Sequence, residues 1–126
     1  MKLVLLFLLF FSILVIFSYM LYRIWLDDQE RKRIKEWEDK VNGDTVYIFQ
    51  DCLYRGPMIS EKITDPMSSM YDSEDGFRSM IIPEGAEIDG YVDEDKTIKF
   101  TYKGPQVLRC ITDTHDLINY IHITHS

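Results

Sequence analysis

The chain has 126 residues and a formal net charge of −7, with 46% hydrophobic and 28% charged residues. This length allows one compact domain with appendages, and the acidic balance argues against a nucleic-acid partner because phosphates would repel it. Residues 3–22 carry no charge, whereas the residues after them hold all 21 acids. This segregation excludes an ordinary cytosolic enzyme. A polytopic membrane protein is excluded too, because no second apolar stretch approaches the ~20 residues that a span needs.

Residues 1–22 are predicted to form a transmembrane signal anchor, with residues 3–22 in contact with the lipid bilayer. As a helix, residues 3–22 would extend about 30 Å, which matches a hydrocarbon core. Aromatic side chains and the first positive charge follow at its C-terminal end, where the headgroups begin. The predicted membrane-interface residues are Tyr19, Tyr22, Arg23 and Trp25.

Two questions about this segment have rival answers. A cleaved signal peptide would need a small-residue cleavage site, but Ala86 is the only alanine in the chain, so we expect an uncleaved anchor. Positive charges after the span favour a cytoplasmic C-terminal side. The two-residue flank before the span is typical of a signal anchor that translocates the residues C-terminal to it, and we expect translocation.

Residues 23–44 are predicted to form a charged helical stalk that ends at Asn42-Gly43-Asp44, with Gly43 in the left-handed conformation. Ile34, Trp37 and Val41 recur at three- and four-residue spacing, which indicates a helix with one narrow apolar stripe. The stalk is then either a solvated continuation of the membrane helix or a docking element. In the second case Ile34 and Trp37 are the candidate contacts to a partner or to the protein's own domain.

Residues 45–126 are predicted to form a small all-β domain of Greek-key or sandwich type, because short apolar runs alternate with turn signals. Residues 65–76 are predicted to be the longest loop. The sequences Tyr54–Pro57 and Tyr102–Pro105 share the form Tyr-basic-Gly-Pro, which is compatible with a duplicated unit or with chance. The predicted strands are 45–49, 52–54, 58–63, 79–82, 86–92, 97–102, 106–111 and 117–124.

One hairpin of this domain resembles the Greek-key motif of the βγ-crystallins. The aromatic-x4-aromatic-x-Gly pattern and the later serine of that motif are matched by Phe49, Tyr54, Gly56 and Ser79. The resemblance covers about 30 residues and implies a Greek-key fold for them.

The rest of the chain departs from the βγ-crystallin pattern. Five positions before Tyr102 stands Thr97 in place of an aromatic residue. Arg78 stands where calcium-binding members have a small hydroxyl ligand. The resemblance therefore implies no calcium site.

Cys52 and Cys110 each fall inside a predicted strand. They are disulfide candidates, and pairing would stabilise a small domain by ~4 kcal/mol in the chain-entropy model. Free buried cysteines remain the alternative, since such residues behave as small hydrophobes. No Cys-His signature points to catalysis.

No catalytic, cofactor-binding or metal site is predicted. The phosphate-binding, serine-hydrolase and zinc-protease motifs are absent from the sequence. His115, His122 and His125 lie near Asp113 and Asp116, but their spacing matches no metal motif. We expect a protein that is not an enzyme.

The overall layout resembles the small N-terminally anchored per os infectivity factors of the baculovirus occlusion-derived virion envelope. The residues that carry it are the span Leu3–Tyr22, the basic cluster of Arg31, Lys32, Arg33 and Lys35, and Cys52 with Cys110. The resemblance implies a non-catalytic subunit of an entry complex, which contacts other envelope proteins and passes through the host nuclear membrane during assembly. The alternative is a bitopic envelope protein of a bacterium or phage with a periplasmic β domain for protein–protein interaction.

Overall fold

The structure, a computed structural model, describes residues 1–63, 67–113 and 117–125. Helix α1 spans Lys2–Asp39 and is followed by a 3-10 turn, Lys40–Asn42. A second 3-10 turn is Ile111–Asp113. Among the described residues there are eight strands: β1 Thr45–Asp51, β2 Arg55–Lys62, β3 Met67–Phe77, β4 Ser79–Ile82, β5 Ala86–Tyr91, β6 Lys99–Lys103, β7 Gln106–Leu108 and β8 Ile118–His125.

The chain divides into two compact units, Met1–Arg33 and Ile34–Ser126. The first unit is helical, and its apolar side chains are exposed all around the helix, as for Leu8 at 56% and Phe11 at 60%. In length and composition, this is the one helix among the described residues that meets the requirements of a membrane span. The predicted N-terminal helix is therefore present.

The second unit contains two antiparallel four-stranded sheets. Sheet A has the order β2-β1-β4-β7, and sheet B has the order β3-β8-β5-β6. Sheet A contains the β1–β2 hairpin, with β4 beside β1 and with β7, from the second half of the domain, at its edge. Sheet B contains the β5–β6 hairpin, with β8 beside β5 and with β3, from the first half of the domain, at its edge. This arrangement is a pair of Greek keys that exchange one strand, so the predicted all-β domain is confirmed.

The alternation of side chains places the core between the sheets. In β5 every second residue, Ala86, Ile88 and Gly90, is buried, as expected when one face of a strand meets the core. In β4 all four residues are buried, which requires cover on both faces of sheet A. The inner cluster between the sheets consists of Val46, Ile48, Phe77, Met80, Ile82, Ala86, Ile88, Ile111, Ile118, Ile121 and Ile123.

Several local predictions were wrong. Residues 52–54 form the turn of the β1–β2 hairpin, so Cys52 is not in a strand, and Cys110 follows the end of β7. Most of the predicted loop 65–76 is β3, an edge strand of sheet B. Gly43 has a φ of −89°, which is extended rather than left-handed.

Candidate functional site

The outer face of sheet A is covered by the end of the helical segment. The ring of Trp37 meets the ring of Phe49 edge-on at a centroid distance of 5.0 Å, and the ring of Tyr47 at 5.4 Å. Phe49 is 2% exposed and Ile81 is fully buried by this contact. We call this group the outer cluster, and it consists of Ile34, Trp37, Val41, Tyr47, Phe49, Tyr54, Ile81 and Val107.

The sequence pattern explains why the contact forms. The predicted stripe of Ile34, Trp37 and Val41 occupies one helical face, and that face packs on the second apolar face of sheet A. Of the two interpretations of the stalk, docking on the protein's own domain therefore applies from Ile34 onward. Ile34 and Trp37 are partly exposed. Contact of their exposed sides with another protein stays a prediction.

A polar group, the Glu38 clamp, consists of Glu38, Tyr54 and Arg109 and lies at the edge of the outer cluster. Arg109 donates two hydrogen bonds to the Glu38 carboxylate, from Nη2 at 2.8 Å and from Nε at 3.1 Å. The hydroxyl of Tyr54 donates to Glu38 Oε2 at 2.8 Å. The side chain of Glu38 is only 18% exposed, so a bidentate arginine and a phenol satisfy a partly buried carboxylate.

The electrostatics of the clamp are set by these contacts. The Arg109 guanidinium, with help from the Tyr54 hydroxyl, holds the pKa of Glu38 below its ordinary value against the opposing effect of burial. Burial and the neighbouring Glu38 carboxylate raise the pKa of Tyr54. The ion pair therefore stays charged through the neutral range. Because Arg109 is far from Glu38 in sequence, no local pattern predicted this group.

Cys52 and Cys110 form a disulfide with a Cα–Cα distance of 4.7 Å. Their pairing, which the sequence left open, is thus confirmed. The residues beside the two cysteines are also joined, since the amide of Leu53 donates to the carbonyl of Arg109 at 2.7 Å. The disulfide and this hydrogen bond link the β1–β2 turn to the segment that carries Arg109.

The residues of the predicted crystallin-like hairpin act together at this turn. Tyr54 has a φ of 58° and its amide donates to Ser79 Oγ at 3.1 Å, while Ser79 Oγ donates to the carbonyl of Asp51 at 2.6 Å. Gly56 has a φ of 78°, and a Cβ there would lie 2.4 Å from Asp51 Oδ2. Phe49 and Tyr54 pack with their rings 5.7 Å apart. The motif is therefore the local structure that aims Tyr54 at Glu38.

The second half of the domain has an equivalent hairpin, but not where the sequence suggested it. Tyr102 lies near the end of β6 and pairs with Ile88, so Tyr54–Pro57 and Tyr102–Pro105 are not equivalent. The counterpart of Phe49 and Tyr54 is Tyr91 and Lys96, at the same spacing. Lys96 has the same φ of 58° as Tyr54, and its Nζ lies 5.5 Å from the Tyr91 ring centre. Lysine in place of the second aromatic residue hid this copy.

Arg78 occupies the place where the crystallin resemblance would put calcium chemistry. Its Nη1 donates to the carbonyl of Gln50 at 2.8 Å and to the carbonyl of Asp75 at 3.0 Å. Two oxygens of the kind that calcium prefers therefore already hold a guanidinium. No group of three metal-binding side chains occurs among the described residues, and these residues do not fit a calcium ion.

The structure brings together one pair that resembles catalytic chemistry. Ser68 Oγ and His122 Nε2 are hydrogen-bonded on the outer face of sheet B. Asp89 stands opposite His122 in the register, but it accepts from Thr101 Oγ1 at 2.9 Å and pairs with Lys99 Nζ at 3.6 Å. The pair is exposed on this face of the sheet, so it is interpreted as a surface contact. His115 and Asp116 lie outside the described residues.

The predicted membrane-interface residues all lie in the unit Met1–Arg33. Tyr19, Tyr22 and Trp25 are exposed, between 54% and 62%. The rings of Tyr22 and Trp25 stack with their centres 6.3 Å apart. These side chains are thus available to a headgroup layer, and their contact with lipid stays a prediction.

No protein-family model and no curated protein sequence matches the chain. Among solved structures it is similar to a βγ-crystallin domain from Clostridium beijerinckii, with 20% identity over 65% of this chain and 99% of that one, at a TM-score of 0.48. A double mutant of that domain gives 20% identity over 67% and 100%, also at 0.48. The Ca²⁺-bound βγ-crystallin domain of Abundant Perithecial Protein from Neurospora crassa gives 11% identity over 66% and 90%, at 0.48. At these identities the likeness concerns the fold alone.

Proposed function

We propose that this chain is a membrane-anchored, non-catalytic subunit of an envelope protein complex, and that the β domain makes its protein contacts. The observation that carries the proposal is that every apolar side chain in residues 3–22 is exposed, between 48% for Leu14 and 83% for Leu3. An apolar surface of this size is unstable in water and needs lipid or protein around it. A bilayer of ordinary thickness fits its length.

We place the β domain on the non-cytoplasmic side of the membrane. The Cys52–Cys110 disulfide supports this, because such bonds persist in oxidising compartments and are rare in the cytosol. An oxidising compartment favours the closed form of this bond.

The contacts of the half-buried carboxylates favour a role in binding over a role in catalysis. Among the described residues, Glu38 and Asp89 are half-buried carboxylates that are engaged in structural contacts. Their partners are arginine, tyrosine, threonine and lysine side chains of the same domain. The domain's acidic surface favours partners with basic patches.

The more specific proposal is a subunit of the entry complex on the envelope of an occlusion-derived virion. It rests on the layout of span, basic cluster and two-cysteine β domain. A bitopic envelope protein of a bacterium or phage has the same layout and is the second candidate. Mass spectrometry of proteins that co-purify with the full-length chain from its native membrane distinguishes the two, because the partners would be viral envelope proteins or bacterial envelope proteins. Recovery of no partner would contradict the assembly role.

Protease protection tests the anchor and its orientation. In sealed vesicles with the cytoplasmic side outward, a C-terminal tag should survive added protease and be digested after detergent is added. Digestion without detergent would contradict the topology. As a control, Leu9→Arg with Phe10→Arg places two charges in the middle of the span, at a cost of about 3 kcal/mol each. This variant should leave the membrane fraction.

A further inference from the structure

The disulfide lies next to both residues that hold Glu38. Tyr54 is two residues after Cys52, and Arg109 directly precedes Cys110. The bond therefore ties together the two chain segments that supply the donors of the Glu38 clamp. The hydrogen bond from Leu53 to the carbonyl of Arg109 lies between the same segments.

Without the covalent link, these segments depend on weaker connections. Arg109 lies in the stretch between β7 and the 3-10 turn Ile111–Asp113, and β7 is only three residues long. It is also an edge strand, paired with β4 alone. The side chain of Arg109 is 63% exposed. Its side chain is therefore held toward Glu38 by the backbone that carries it, through the Cys110 disulfide and the buried Ile111.

The sandwich itself is held by other contacts. The inner cluster contains side chains from both sheets, and the outer cluster contains those beneath the helical segment. Tyr54, beside the disulfide, belongs to the outer cluster only. The central strand pair β5–β8 of sheet B is joined over six registered positions, far along the chain from Cys52. Ile111, directly after Cys110, belongs to the inner cluster, and its amide donates to the carbonyl of Arg78 at 2.7 Å. These contacts of the inner cluster do not depend on the disulfide.

We propose that the Cys52–Cys110 disulfide is a redox-controlled brace for the Glu38 clamp. A dithiol reductant breaks the sulfur–sulfur bond, giving its two protons and two electrons to the cysteines, and becomes a disulfide itself. The two thiols that form no longer tie Tyr54 to Arg109, and the helical segment Ile34–Val41 separates from sheet A while the sandwich stays folded. Both cysteines are partly exposed, so a reductant can reach them. The inference stands on the disulfide and the clamp and does not depend on the proposed function.

Trp37 reports on this separation. The test uses the full-length chain in detergent micelles with Trp25→Phe, which leaves Trp37 as the only indole. Trp37 emission and its quenching by acrylamide are measured before and after dithiothreitol, with the thiols trapped by iodoacetamide. Hydrogen exchange of the β5 and β8 amides is followed on the same samples. Loss of one hydrogen bond to a charged group changes an equilibrium constant about tenfold or more. We therefore expect the ratio of separated to docked helical segment to rise at least tenfold, seen as increased quenching of Trp37 by acrylamide.

Two variants separate the clamp from general loosening. Glu38→Gln should expose Trp37 already in the oxidised protein, and reduction should then add little. Glu87→Gln removes a carboxylate on sheet B and should respond to reduction as the parent does. Protection of Trp37 after complete reduction would overturn the proposal. Loss of β5 and β8 protection together with that of Trp37 would overturn it too, because the disulfide would then hold the whole domain.

Discussion

Replacing Trp37 with alanine removes the centre of the outer cluster. The indole makes two edge-to-face ring contacts, with Phe49 and Tyr47, each worth about 1 kcal/mol beyond the area they bury. A partly buried tryptophan also removes roughly 100 Å² of apolar surface from water, which contributes about 2.5 kcal/mol. The cavity left by the indole adds to this loss, and movement of neighbouring side chains into the cavity reduces it. We expect the β domain to lose about 4–5 kcal/mol of unfolding free energy.

The assay is urea unfolding of the full-length chain in micelles, followed by hydrogen exchange of the β1 and β4 amides. These strands lie directly beneath Trp37 and report on the unit that contains it. Trp25→Ala is the matched control, since Trp25 lies in the other unit and should leave β-domain stability unchanged. Equal unfolding free energies for the two variants would refute the assignment of Trp37 to the domain's core.

Three further outcomes are expected. The clamp stabilises the domain at neutral pH, and this stabilisation is lost as pH falls through the lowered pKa of Glu38. Thermal unfolding should therefore show Glu38→Gln to be less stable than the parent by about 1–2 kcal/mol at pH 7. An equal difference at pH 3 would contradict this. Gly56→Ala should destabilise by about 1–3 kcal/mol, because alanine is strained at a φ of 78° and its Cβ would collide with Asp51, and an unchanged melting temperature would refute it. Calcium should leave the melting temperature unchanged, because the Arg78 guanidinium already occupies the two carbonyls, whereas a rise that depends on calcium concentration would show a site.

Patterns that are local in the chain predicted much of the fold. Strand β4 was predicted with its observed bounds, because an unbroken apolar run between turn signals indicates a strand buried on both faces. The stripe of Ile34 and Trp37 likewise predicted the face of the helix that packs. Strand β3 was missed because it is an edge strand with polar outward residues such as Ser68 and Asp72, which resemble a loop in composition.

The candidate site depended on contacts that no local pattern encodes. Glu38 and Arg109 lie 71 residues apart in the chain and meet where the helical segment packs on sheet A. The β5–β6 hairpin was not recognised in the sequence because Lys96 stands where the motif has an aromatic residue. Its backbone conformation is nevertheless the same as that of Tyr54. The two Tyr-basic-Gly-Pro sequences were misleading, because they lie in different structures. One begins in the tight β1–β2 turn, and the other begins near the end of β6.

The exchange of strands between the two halves sets the order in which the domain can form during synthesis. Strands β3 and β5 flank β8 in sheet B, yet β8 is the last of the eight strands that the ribosome makes. Until Ile118–His125 has emerged, β3 has no neighbour in its sheet, and the inner cluster lacks the three isoleucines that β8 contributes. The nascent β domain therefore stays open while the apolar segment ahead of it is already available for insertion, and it closes only after that strand is complete.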